Sequence, residues 1–454
     1  MAKFNREKAL RKIEFKRKWR NYSRYVYIAV PCVLCCLLCL YFAYSKFFVS
    51  EEQAVIRTTV GDFIYGDIVI SAYIDGEYSN TIPGKDDGYI VEKVSCDNDA
   101  IGKWNSDDWG IMVTDLSKRT KCNVYFKKKP DSKVPEIIAQ LDTSGKCPTV
   151  NDDGSVNVTG VEATNGYLCK AKDTYGDSYY YRGNVTNNYV KFAGFYWRIV
   201  RINGDGTVRV IYDGTSAHAN GDSSSDRQIG TSAFNSSYND NAYVGYMYGK
   251  TGASTYADAH ANTNNSTIKT YIDDWYKTNI VGTTNEQYLV DNIFCNDRSI
   301  SSNKPSNSYS NLGYGTKATA YRWFYFADGS YNNKMMLMCP QKNDAFTVSD
   351  TTNGNGALTY PVGLLSTDEI ALAGGWNAAN SGYYLYSGQD WWASSPLSFY
   401  GGITYVRFVN SNGKANLDLA YVNYYSGVRP VFNLKAEVLA HGSGTASDPY
   451  RISL

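Results

Sequence analysis

Histidine is nearly absent: the 454 residues hold three, His218, His260 and His441. Each lies in a polar stretch, and none is spaced from another His or Cys as metal ligands are, so a histidine-based zinc motif is excluded. The chain has no G-x-S-x-G elbow, no H-E-x-x-H helix and no phosphate-binding glycine loop. Gly204 and Gly206 make half of a G-x-G pattern, but they sit between two strand-like runs and read as a turn. A surplus of one charge is missing too: 45 Lys+Arg face 44 Asp+Glu, a net of +1. The body of the chain carries no basic surplus that would recommend a nucleic acid as its partner.

The balance hides an asymmetry. Residues 1–24 hold ten basic and two acidic residues, a net of +8, and the rest holds 35 against 42, a net of -7. The uncharged run Tyr25–Tyr44 follows that basic tail. As a helix, twenty residues rise about 30 Å, the thickness of a hydrocarbon core. The pattern predicts a cytoplasmic basic tail over 1–24 and a transmembrane signal-anchor helix over 25–44, with the lipid bilayer as partner. The positive-inside bias then makes the chain a single-pass protein of the cell membrane, with the body extracellular. The rival is a cleaved signal peptide ending at Ala43-Tyr44-Ser45, for which the apolar run is long.

Ten cysteines are present. Cys32, Cys35, Cys36 and Cys39 lie in the apolar run. Cys96, Cys122, Cys147, Cys169, Cys295 and Cys339 lie in the body, an even number that suits disulfides outside a reducing cytoplasm. Six cysteines allow fifteen pairings. Domain boundaries favour the sequential one, 96–122, 147–169 and 295–339; the alternative leaves some free and buried.

Residues 60–128 read as short strands and turns without helical periodicity, a small all-β, immunoglobulin-like sandwich module. Residues 129–185 form a disulfide-clipped connector, and Val134–Leu141 within it reads as a short helix. Residues 186–454 read as one large α+β domain. Its clearest element is a hairpin, Trp197–Ile202 and Thr207–Tyr212 about Asn203-Gly204-Asp205-Gly206. Ile268, Tyr271, Ile272 and Trp275 follow helical spacing, and Ser366 with Glu369 makes a capping box closed by Gly374-Gly375. Further strands are expected at Tyr321–Phe326, Met335–Met338, Tyr383–Tyr386, Thr404–Val409 and Arg429–Leu434. The polar stretch 214–265 reads as a long loop.

The chemistry-bearing groups are few. Asp273 with Asp274, and Asp291 with Asp297, are carboxylate pairs of the kind a glycosidase uses, and they read equally as helix face and surface. Cys295 with Cys339 and a His260 base would make a nucleophile, which oxidised pairing explains better. No catalytic residue and no metal site is assigned. No cofactor is called for; calcium is the one ion to weigh, through Asp222, Asp226, Asn239 and Asp240, and no twelve-residue calcium loop surrounds them.

What the chain has in excess is tyrosine, 41 residues. The rings concentrate at Trp376–Trp392 and Tyr421–Tyr425, among Ser, Gly and Asn. Such loops make adaptable contact surfaces for glycans or proteins. The candidate ligand-binding residues are Trp392, Ser394, Tyr400, Tyr421, Asn423, Tyr424 and Tyr425. Trp197, Trp323 and Trp391 are expected in the core.

Five segments occur in a telling order: Phe195–Ile202 (FYWRIVRI), Cys295–Arg298 (CNDR), Asp390–Pro396 (DWWASSP), Val428–Leu434 (VRPVFNL) and Gly442–Tyr450 (GSGTASDPY). In this the chain resembles a family of exported surface proteins of Gram-positive gut bacteria. Their C-terminal domain, of unknown function, is similar to the C-type-lectin-like fold near its sulfatase-modifying-enzyme branch. The resemblance covers about 186–454. It implies a scaffold with variable loops, with Trp197 and Arg429 as framework and the loops Trp391–Gly402 and Asn410–Gly427 framing a binding face. The lectin calcium patterns Glu-Pro-Asn and Trp-Asn-Asp are missing; Trp376-Asn377 is followed by Ala378.

The expected function is a membrane-anchored extracellular binding or adhesion protein presenting an aromatic-rich loop surface. The alternatives are a structural or sensory envelope component without a small ligand, and an enzyme acting on cell-wall or other glycans.

Overall fold

The computed structural model describes residues 11, 14–19, 68–106, 108–115, 119–128, 132–161, 163–301, 318–322, 334–376 and 378–453. The chain divides into two compact units, Met1–Lys129 and Pro130–Leu454. The expected transmembrane helix over 25–44 lies outside the described residues. Among the described residues no helix is long and apolar enough to cross a membrane. The single-pass anchor, its topology, the cell-membrane location and the lipid partner are corrected on that finding and are not carried further.

Among its described residues the first unit has six strands: β1 (Ile68–Ile74), β2 (Glu77–Ser79), β3 (Tyr89–Cys96), β4 (Ile101–Asn105), β5 (Gly110–Thr114) and β6 (Thr120–Lys128). Four of them form one sheet in the order β2-β1-β6-β3, while β4 and β5 pair only with each other. The first and last strands, β1 and β6, run parallel, Ile68 opposite Thr120 through Ile74 opposite Phe126. Period-2 alternation turns Cys122, Val124 and Phe126 inward, where they pack with Ile111 and Val113 of the hairpin. Cys96 and Cys122 are bonded. The hairpin approaches so closely there that a Cβ on Gly102 would stand 2.7 Å from the Cys96 sulfur. On the other face Tyr73 stacks on Tyr125 at 4.9 Å and meets Tyr78 edge-on at 5.9 Å.

The second unit is α+β. Its longer strands are β7 (Tyr167–Asp173), β8 (Gly176–Arg182), β9 (Tyr189–Phe192), β10 (Phe195–Ile202), β11 (Val208–Gly214), β12 (Thr231–Ala233), β13 (Trp391–Tyr400), β14 (Ile403–Val409), β15 (Ala415–Tyr421), β16 (Tyr425–Gly427) and β17 (Val431–Leu434). Its helices are α1 (Val134–Ile138), the single turn α2 (Tyr256–Ala259), α3 (Thr267–Asn279) and α4 (Thr367–Ala373). One sheet runs β17-β11-β10-β8-β7, with β9 also on β10; the other runs β12-β16-β13-β14-β15. The β7–β8 pair thus belongs to the same sheet as the hairpin β10–β11, whose turn is closed by Asn203 N–H donating to the Thr207 carbonyl and by Gly206 at φ +81°.

One core serves both sheets. Trp197 stacks on Phe432 at 4.6 Å, and Trp391, Trp392, Val406 and Val409 belong to the same buried cluster. Helix α3 starts at the N-cap Ser266 and turns Ile268, Ile272 and Tyr276 inward at the i, i+4, i+8 spacing of one face. Helix α4 has the reciprocal Ser366–Glu369 capping box and ends on Gly374 at φ +118°. Cys147–Cys169 and Cys295–Cys339 are bonded.

Several local expectations are corrected. The presumed loop Trp391–Gly402 is mostly the long strand β13, and Asn410–Gly427 contains β15 and β16. Tyr383–Tyr386 forms no strand, although Tyr383, Tyr384 and Leu385 are wholly buried. The polar stretch 214–265 holds short strands, two 3₁₀ turns and α2. Trp323 lies outside the described residues.

Candidate functional site

The expected binding face does not assemble. Trp392 has no exposed surface, its indole N–H donating to the Ser232 carbonyl at 2.8 Å. Ser394 is buried and donates to the Cys295 carbonyl at 2.7 Å. Tyr400 is 42% exposed at the end of β13. Tyr421 and Asn423 are half-buried, while Tyr424 and Tyr425 are 52% and 76% exposed. Tyr421 and Tyr424 meet edge-on at 4.7 Å. The aromatic excess mostly fills the core, so the aromatic-rich loop surface, and with it the anchored adhesion function and its glycan or protein ligand, is corrected. Trp392 misled because it follows Trp391 on a strand: adjacent residues point to opposite faces, but this strand is covered on both.

Polar chemistry gathers instead at the N-terminus of α4. Its first turn carries two adjacent carboxylates. Glu369 accepts from the Ser366 N–H at 2.9 Å and from Arg201 Nε at 3.2 Å, and Arg209 Nε lies 2.6 Å away. Asp368 accepts from the Met336 N–H at 2.7 Å and from Arg322 Nη2 at 2.6 Å. Arg322 also donates to Asp297, and Arg201 Nη1 donates to Asp173 at 2.6 Å. Three guanidiniums are therefore threaded through four carboxylates.

The two neighbours are pushed in opposite directions. Burial raises the Asp368 pKa above the usual carboxylate range, with Arg322 opposing. Burial acts the same way on Glu369, but Arg209 and Arg201 outweigh it and hold that carboxyl below its ordinary value. Arg209 is itself lowered to about 10 by burial. Arg201, Arg209, Arg322, Asp368 and Glu369 line a cleft with Cys295 and Met336, whose cavity is about 10 Å³. That is the space of a single water molecule.

A second network lies deeper. Asp213 accepts from Arg227 Nε and Arg429 Nη2, each at 2.8 Å, and Arg198 is 3.8 Å away, all without exposed surface. Other guanidinium protons go to backbone carbonyls, Arg429 to Leu385, Arg227 to Tyr384 and Arg198 to Val185, and Arg198 also donates to the side-chain oxygens of Asn188 and Asn220.

The other groups weighed from the sequence are occupied. His260 is buried against Tyr256, ring centroids 4.3 Å apart, and burial with Arg298 nearby lowers its pKa to about 2. It is a neutral core histidine. Asp273 pairs with Lys269, and Asp291 accepts the Val348, Ser349 and Asp350 N–H groups. Asp226 holds His218 at 2.9 Å, and Asp240 caps Ala242. Among the described residues no group of three or more His, Cys, Asp or Glu stands ready for a metal.

Sequence reasoning missed Arg201, Arg209, Arg322, Asp213 and Asp368. The available signal was arginine at Arg198, Arg201 and Arg209 inside otherwise apolar strands, where a buried charge needs a partner. No family model matches the chain, and no match was found among curated proteins or solved structures.

Proposed function

We propose that the Pro130–Leu454 unit is a non-catalytic structural domain working in an oxidising environment, and that the chain belongs with the exported proteins its ordered motifs resemble. The observation that carries this reading is that the ionisable groups of the α4 cleft are spent on one another. A catalytic acid or base must be free to take and release a proton at a substrate atom. Here Glu369 lies between Arg201 and Arg209, and Asp368 is engaged by Arg322 and the Met336 amide. Each link fixes one element against another: β10 and β11 against α4, and the 334–336 segment against α4. The three disulfides support the oxidising setting.

The test is a mass-spectrometric screen of the purified full chain against glycosides, peptides and esters, with Asp368→Asn as the paired variant. The proposal expects no turnover that the variant abolishes. Turnover lost in a variant that keeps the wild-type unfolding temperature would overturn it.

A further inference from the structure

The three disulfides among the described residues differ in how they meet solvent. Cys122 and Cys169 are fully buried, so in those two bonds one sulfur of each pair is sealed in a core. Cys295 and Cys339 are both half-buried. Cys295 also lines the α4 cleft, together with Leu337, Met338 and Pro340 from the segment that carries Cys339.

We propose that Cys295–Cys339 is a reducible clasp, opened by a dithiol reductant while the other two bonds stay closed. Thiol–disulfide exchange needs an accessible sulfur and a leaving thiolate of low pKa. A thiolate expelled from Cys122 or Cys169 would appear in an apolar core, which raises its pKa. One expelled from Cys295 or Cys339 appears half-solvated, outside an apolar core and without that penalty. The step balances as a two-electron exchange. One thiolate of the reductant attacks Cys295 or Cys339, forms a mixed disulfide and expels the other sulfur as a thiolate. The second reductant thiol then displaces the first cysteine, so two protein thiols form and the reductant leaves as a disulfide.

The two ends of the clasp are held unequally. Cys295 lies in the strand Phe294–Cys295, paired with Ala345–Phe346. Cys339 lies in a segment without regular structure between the strand Lys334–Met335 and the 3₁₀ turn Lys342–Asp344. Met336 is pinned by its amide to Asp368, and Gln341 is held by its side chain, Oε1 accepting from the Tyr256 hydroxyl and Nε2 donating to Ser299 Oγ at 3.3 Å. Between those points the disulfide holds Leu337–Pro340 against the cleft, and reduction releases that strap without unpairing either large sheet.

The test uses the intact chain in a graded dithiothreitol series, with alkylation of the exposed thiols and peptide mapping. Cys295 and Cys339 are expected to label at least about tenfold faster than Cys96, Cys122, Cys147 and Cys169. Amide exchange should rise over 337–341 and stay unchanged in β10 and β11. Labelling of either other pair first, or labelling of Cys295 and Cys339 only when β10 and β11 also exchange, would overturn the proposal. The double variant Cys295→Ser/Cys339→Ser is an independent arm. It should show the exchange of the reduced protein over 337–341, and exchange equal to that of the oxidised protein would mean the bond clasps nothing.

Discussion

Arg201 donates through Nε to the Glu369 carboxylate at 3.2 Å, across 168 residues of sequence. The pair ties the central strand β10 to the first turn of α4, and both side chains are buried. An ion pair of this kind adds little net stability over an apolar equivalent, but removing one partner strands the other charge in the interior.

Asp213 neutralises the deepest arginines. Asp213→Asn should cost about 3–5 kcal/mol, because Arg227 and Arg429 keep their carbonyl contacts and lose the carboxylate they share. Denaturant unfolding read through β11 amide exchange checks this.

Trp392 and the exposed tyrosines separate core from surface. Trp392→Ala should cost about 3–5 kcal/mol, since the ring is fully buried against Phe234 and Phe408. Tyr424→Ala and Tyr425→Ala should stay within about 0.5 kcal/mol of wild type. Thermal unfolding of the three variants side by side gives the comparison.

The capping box makes a smaller, local contribution. Ser366 accepts from the Glu369 N–H, and Ser366→Ala should cost about 0.5–2 kcal/mol. The loss should appear first as faster amide exchange within α4.

His260 gives the unit an acid sensitivity. Its pKa falls from an ordinary 6.5 to about 2 on folding, through burial and then Arg298. A depressed folded pKa means the contribution is complete above about pH 6.5 and shrinks as pH falls toward 2. The slope is about 1.4 kcal/mol per pH unit. His260→Gln should flatten the stability profile between pH 6.5 and 5, measured by denaturant titration at each pH.

Local features of the fold were legible where one short segment carries the whole signal. The β10–β11 hairpin shows in two β-branched runs about Asn203-Gly204-Asp205-Gly206, the α4 start in Ser366 and Glu369, and the inward face of α3 in Ile268 and Ile272. Pairing at a distance was not legible. Nothing near Ile68–Ile74 announces that it lies parallel to Thr120–Lys128. The site was least legible for the same reason: Arg201 looks like a solvent-side residue of a strand until Glu369 is brought beside it. The tyrosine excess pointed outward on composition alone, whereas Tyr180, Tyr276, Tyr321, Tyr383 and Tyr384 are core.

The most direct test of the structural reading is the unfolding free energy of Glu369→Gln, taken from amide exchange of β10 and β11 in the intact chain. With Arg201 and Arg209 left facing a neutral amide, a fall of about 3–5 kcal/mol is predicted. A variant within about 0.5 kcal/mol of wild type would contradict the account, because the cleft's charges would then not be what holds the two sides together.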